Sequence, residues 1–215
     1  MCSSDLEKTK MARTGQAYST AITDSINAFL KEDEWRFDFD SERGRFIFNL
    51  GLSCKLKSVR YIVDVREKDY LIYVFSPLGP DKGDAATMKR TAEFLTRANY
   101  GLVFGNFEMD MHDGEIRYKT FVPCGGEAPC ADVIRRSIYV PAMMLDRYGD
   151  GLLKVLYSDI DPEKACSMCE NDLRDSADDD TEESGSTNDS TADILSRLSA
   201  HFSSDTSDTS DTEDE

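Results

Sequence analysis

Apolar and polar residues alternate with period two through much of the first half of the chain, and recur with helical spacing on either side of it. From Gln16 to Glu32 the apolar positions are Tyr18, Ala21, Ile22, Ile26, Phe29 and Leu30. They share one stripe of a helix, with Thr23, Asp24, Ser25 and Asn27 facing away. Strand patterns follow. Trp35, Phe37 and Phe39 alternate with Arg36, Asp38 and Asp40; Phe46, Phe48, Leu50 and Leu52 alternate with Arg45, Ile47, Asn49 and Gly51. Val59, Tyr61, Val63 and Val65 repeat the pattern against Arg60, Asp64 and Arg66. This alternation predicts a sheet with one wet face. Tyr70 to Phe75 is apolar throughout, which predicts a central strand covered on both faces.

Pro77, Gly79, Pro80 and Gly83 break the pattern, and Asp84 is placed to cap a helix from Ala85 to Ala98 with Met88, Ala92, Leu95 and Phe94 inward. Leu102–Met111 and Glu115–Val122 read as strands joined at His112-Asp113-Gly114, where the Asp-Gly pair predicts a type I′ hairpin. Helical spacing resumes at Ala131 with Val133, Ile134, Ile138, Met144, Leu145 and Tyr148. Pro141 is expected to kink or split that helix, and Gly149-Asp150-Gly151 to interrupt it again. The order helix, four strands, helix, two strands, helices predicts an α+β fold of two layers: one antiparallel sheet with helices on one face.

Charge sets the domain boundary. Of 42 acidic and 25 basic residues, 16 acidic and 2 basic lie between Glu170 and Glu215, so the remainder is nearly neutral. Residues 1–15 read as a disordered N-terminus, 16–160 as the domain, and 161–215 as a disordered acidic tail rich in Ser and Thr. Within that tail, Ile194, Leu195, Leu198 and Phe202 recur at helical spacing over residues 191–202. They are the candidate partner-binding residues, a segment that folds on a partner or docks on its own domain. The acidic balance argues against nucleic acid and anionic membrane surfaces and favours a protein partner. No run is long enough to span a membrane and the N-terminus lacks a secretory h-region, which together predict a cytoplasmic protein.

Asn99-Tyr100-Gly101-Leu102-Val103-Phe104-Gly105-Asn106-Phe107-Glu108-Met109-Asp110, followed by Asp113-Gly114-Glu115-Ile116-Arg117-Tyr118, resembles the bacterial YbjN-like family, whose members are commonly labelled sensory transduction regulators. The resemblance covers Gln16 to Asp159. It implies the fold of type III secretion chaperones and, by looser analogy, a binding role; it brings no catalytic residues and does not extend to the acidic tail.

Reactive constellations are sparse. Cys166 and Cys169 have metal or redox spacing, and Cys124 and Cys130 lie in a Gly/Pro loop, but incidental thiols are the preferred reading. Asp110, His112 and Asp113 read as a solvated hairpin tip. Lys89, Arg90, Arg135 and Arg136 are candidates for a basic patch, with a solvated helix face as the default. Trp35, Phe37, Phe39, Phe46 and Phe48 read mostly as core. No phosphate loop, Gly-x-Ser-x-Gly or His-Glu-x-x-His occurs, and the chain has 2 His. The sequence therefore predicts a non-enzymatic protein-binding or regulatory module without cofactor or bound metal, either monomeric or homodimeric. The alternative is a metal- or small-molecule-binding sensor or enzyme that uses a pocket or the Cys pairs.

Overall fold

The computed structural model describes residues 18–175, with side chains placed as far as residue 171. The disordered segments expected at 1–15 and beyond 175, including residues 191–202, lie outside the described residues. Ten elements follow one another: α1 (Thr20–Glu32), β1 (Asp38–Asp40), β2 (Arg45–Gly51), β3 (Ser58–Val65), β4 (Asp69–Phe75), α2 (Ala85–Asn99), β5 (Asn106–Met109), β6 (Ile116–Pro123), α3 (Ala131–Tyr157) and α4 (Pro162–Asp175). The strands form one antiparallel sheet in the order β1-β2-β3-β4-β6-β5, and the helices gather on one face, as the periodicity predicts.

The covered face carries the inward phase of each strand. Phe46, Val63, Ile72 and Thr120 lie opposite one another in register, and Phe48, Tyr61, Val74, Tyr118 and Phe107 form the next row; all are buried. Ile22, Ile26 and Leu30 of α1, and Ile134, Ile138, Leu145 and Leu152 of α3, fill the space above them. Ser19 caps α1 by accepting the Ile22 N–H through Oγ at 3.3 Å. Thr23, expected to face solvent, is buried and donates its hydroxyl to the Ser19 carbonyl at 2.8 Å.

Several expectations need correcting. The strand expected from Trp35 shrinks to three residues: Glu34 turns the chain at φ +56°, and Trp35 packs edge-on against Phe48 and Tyr139 instead of pairing. The strand expected from Leu102 starts only at Asn106, because Gly101 and Gly105 adopt positive φ. The Asp113-Gly114 turn is not type I′: only Gly114 has positive φ (+82°), and Asp110 bonds across a wider loop to Gly114 and Glu115.

The helix α3 is continuous for 27 residues despite Pro141. Proline takes away an N–H donor, but at this turn the sheet presents two hydroxyls. Tyr61 donates to the Ile138 carbonyl at 2.8 Å, and Tyr70 Oη lies 2.9 Å from Ser137 Oγ. Nor do Gly149 and Gly151 interrupt the helix. A Cβ on Gly149 would lie 2.6 Å from Cys54 Sγ, and one on Gly151 would lie 2.4 Å from Cys169 Sγ, so these glycines admit neighbouring chains to the helix surface.

The largest correction is at the C-terminal boundary. Residues from 161 onward, expected to begin the tail, enter α4, whose Ala165, Cys166 and Cys169 are buried against the core. Net charge hid this, because apolar residues at i, i+1 and i+4 make one helix stripe even between acidic neighbours.

Candidate functional site

The face of the sheet opposite the helices carries the second phase of each strand, and it is not purely polar. Ile47, Ile62 and Tyr73 sit side by side in register across β2, β3 and β4. Leu71 lies opposite Phe121, and Phe75 lies between Arg60 and Arg117. Leu71 is buried among its neighbours, Ile47, Ile62, Tyr73 and Phe75 are partly exposed, and Phe121 is 51% exposed. These residues make an apolar stripe that no described helix covers. The continuous apolar run Tyr70–Phe75, expected to mean cover on both sides, is explained by this open stripe.

Charges border the stripe unevenly. Arg60, Arg117 and Lys119 surround Phe75 and Tyr73 at one end, with Glu108 as the carboxylate among them. Arg117 bonds Glu108 at 2.9 Å and lies over the Tyr73 ring, 4.7 Å from its centroid; Lys119 also bonds Glu108. Burial disfavours the charged Glu108 carboxylate, but hydrogen bonds from Lys119 and Arg117 outweigh it and hold its pKa below the ordinary value. Arg60 is exposed and makes no ion pair among the described residues. At the opposite corner the charges are paired: Asp38, Asp40 and Asp64 lie there, with Arg45 bonding Asp64 at 2.5 Å, Arg66 also beside Asp64, and Arg43 beside Asp40.

Among the described residues, recesses also lie beside and away from this face. One, of about 540 Å³, lies at the end of the β5–β6 hairpin and is lined by Glu108, Met109, Asp110, Met111, Glu115 and Arg117. Its Asp110 is committed to the turn, accepting the His112 N–H at 2.7 Å. Another, of about 240 Å³, lies where α2 meets the end of α3; there Arg90 donates to the Val155 and Ser158 carbonyls and pairs with Asp159. Arg90 thereby closes a helix C-terminus.

The remaining sequence candidates disperse. Arg135 lies over Phe29 and Arg136 over Phe104, so these cations stack on aromatic rings. Cys166 and Cys169 are buried in α4, Cys124 is half-buried, and Cys130 is exposed at the start of α3. Burial pushes the Cys54 and Cys166 thiols up to about 11. Among the described residues no group of three His, Cys, Asp or Glu side chains is placed to hold a metal ion, and no helix is long and apolar enough to cross a membrane. Ile194, Leu195, Leu198 and Phe202 lie outside the described residues.

The segment that carries the family resemblance has a structural job. Asn99 Oδ1 accepts the Phe107 N–H at 2.7 Å, and its Nδ2 donates to the Phe107 carbonyl at 2.9 Å. One side chain thus occupies the hydrogen-bonding edge of β5 as a neighbouring strand would. Gly105 lets that loop close onto β6, where a Cβ would strike Tyr118 and the Lys119 carbonyl. The pattern defining the family YbjN, described as "putative bacterial sensory transduction regulator", matches residues 23–154, more than half of the chain. The chain belongs to the YbjN family. A search of curated proteins finds no match. The family match ends before α4 and the acidic tail, so both lie outside it.

The sequence reading missed the open stripe because Ile47 was assigned to the wet phase and Ile62 to neither. Two isoleucines opposite each other in that phase, followed by Tyr73 and Phe75, were the available signal.

Proposed function

We propose that this YbjN-family chain is a non-enzymatic regulatory module that acts by holding a protein segment on the open face of its sheet. The observation that carries the reading is the uncovered stripe Ile47, Ile62, Tyr73 and Phe75, bordered by Arg60, Arg117 and Lys119. An apolar surface of this kind gains by excluding water, and flanking cations select among apolar segments those with adjacent carboxylates. The reading accords with the regulator label of the family. Catalysis is disfavoured because the buried Cys166 thiol is held protonated and three carboxylates lining the recesses are committed, Asp110 to a turn and Glu108 and Asp159 to ion pairs.

The test is selection of displayed peptides on the immobilised full chain, followed by titration of the winners against Ile62→Lys. The expected winners combine two or three large apolar residues with flanking Asp or Glu, and lose at least tenfold in affinity on the variant while its circular dichroism stays native. Absence of enrichment, or winners that bind Ile62→Lys equally well, would contradict the reading.

A further inference from the structure

The open face and the tail are complementary in two independent respects. The first is hydrophobic pattern. Ile194, Leu195, Leu198 and Phe202 fall on one stripe of a helix and amount to a short apolar surface, comparable in kind to the stripe formed by Ile47, Ile62, Tyr73 and Phe75. The second is charge. Residues 172–189 and 205–215 on either side of that segment are strongly acidic, whereas Arg60, Arg117 and Lys119 border the stripe with Glu108 as their only carboxylate neighbour in register. Arg60 and Arg117 flank Phe75 on adjacent strands, about 10 Å apart by strand spacing, which suits an acidic run lying along the end of the stripe.

The connection is long enough. Asp175 ends α4, and 18 residues separate it from Ile194. Such a stretch reaches about 60 Å when extended and spans about 25 Å on average as a flexible chain. Passing from the helical layer to the far side of the sheet takes about 20 Å. The later turns of α4 bond α3, with Arg147 donating to the Cys169 carbonyl and Tyr148 to Glu170, and the Tyr148 ring packs on Phe107 of the edge strand β5, so the helix runs within reach of a rim the chain can round. Tethering at this length gives an effective concentration on the order of 1 mM, so even a segment that binds weakly by itself occupies the face most of the time.

We infer that residues 190–202 of this chain dock on the open sheet face, burying Ile194, Leu195, Leu198 and Phe202 against Ile47, Ile62, Tyr73 and Phe75. The inference rests on the reading of that face as a binding surface. It makes the tail a tethered competitor: a partner segment must displace it, and anything that weakens the tail's hold opens the face.

The experiment uses the full chain with its isoleucine methyl groups labelled. Docking places the Ile194 methyl within Overhauser contact of Ile47 or Ile62. Replacing Leu195 and Leu198 together by Asp abolishes those contacts and shifts Ile47 and Ile62, leaving Ile72, on the covered face, unmoved. A selected peptide then binds the Leu195→Asp/Leu198→Asp chain about tenfold more tightly than the wild type. An Ile194 methyl with no contact to the sheet, together with Ile47 and Ile62 unmoved by the tail substitutions, overturns the inference. So do contacts that appear only between differently labelled chains, since the occupant is then a second copy. If the tail fails to dock but peptides still bind and are lost on Ile62→Lys, the binding reading stands alone. If no peptide binds even the tail-substituted chain, that reading falls as well.

Discussion

At the residue scale, a few side chains decide what this domain can do. Glu108 has a folded pKa below the ordinary 4.5, so its contribution to stability is fully present above that pH and is lost as pH falls through the folded value. Denaturant midpoints of the wild type should therefore drop as pH falls below 4.5, and Glu108→Gln should flatten that part of the curve. Tyr61 is fully buried and donates a hydrogen bond to the Ile138 carbonyl of α3. Tyr61→Phe strands the bond it made and should cost about 1–3 kcal/mol in an unfolding titration. Thiol chemistry follows exposure: of the five described cysteines, Cys130 is exposed, while burial holds Cys54 and Cys166 protonated at neutral pH. Brief alkylation of the native chain near pH 8 should label Cys130 well before either of them, as peptide mass mapping would read. Most buried residues were legible one by one, since Phe46, Tyr61 and Val63 each stand in the inward phase of an alternating run. Thr23 was not, because a hydroxyl that bonds its own helix hides its polarity, and no periodicity shows that.

At the element scale, the sequence announced which elements exist better than where they stop. Strand ends were set by long-range partners that local pattern does not contain: Trp35 leaves the sheet to meet Tyr139, and Asn99 takes the pairing edge of Phe107. Helix ends failed in the opposite direction. Pro141 and Gly149-Asp150-Gly151 carry strong breaker signals, yet sheet hydroxyls and close sulfur contacts absorb them. A methyl at Gly151 would press on Cys169 Sγ at 2.4 Å, so Gly151→Ala, favourable on helix propensity alone, should instead lower stability by about 1–3 kcal/mol. Thermal unfolding checks the sign: a raised midpoint would mean that α4 can move away. The helix α4 went unread because the acidic composition of its surroundings outweighed a three-residue apolar stripe.

At the scale of the whole molecule, the described residues cover the sheet from one side. Among them, four helices bury one side of a six-stranded sheet, and the other side keeps isoleucine and aromatic residues facing out. The two-layer architecture was legible because alternation distinguishes a half-covered sheet from a doubly covered one. The binding stripe was not, because alternation alone treats every outward residue as wet. On the proposed function, a protein segment occupies this outward stripe. The most direct test is titration of a selected acidic-apolar peptide into the isoleucine-labelled chain carrying Leu195→Asp/Leu198→Asp. The account predicts that the Ile47 and Ile62 methyl signals move and saturate while those of Ile72 and Ile138 stay in place. Saturable binding that leaves Ile47 and Ile62 still would contradict it.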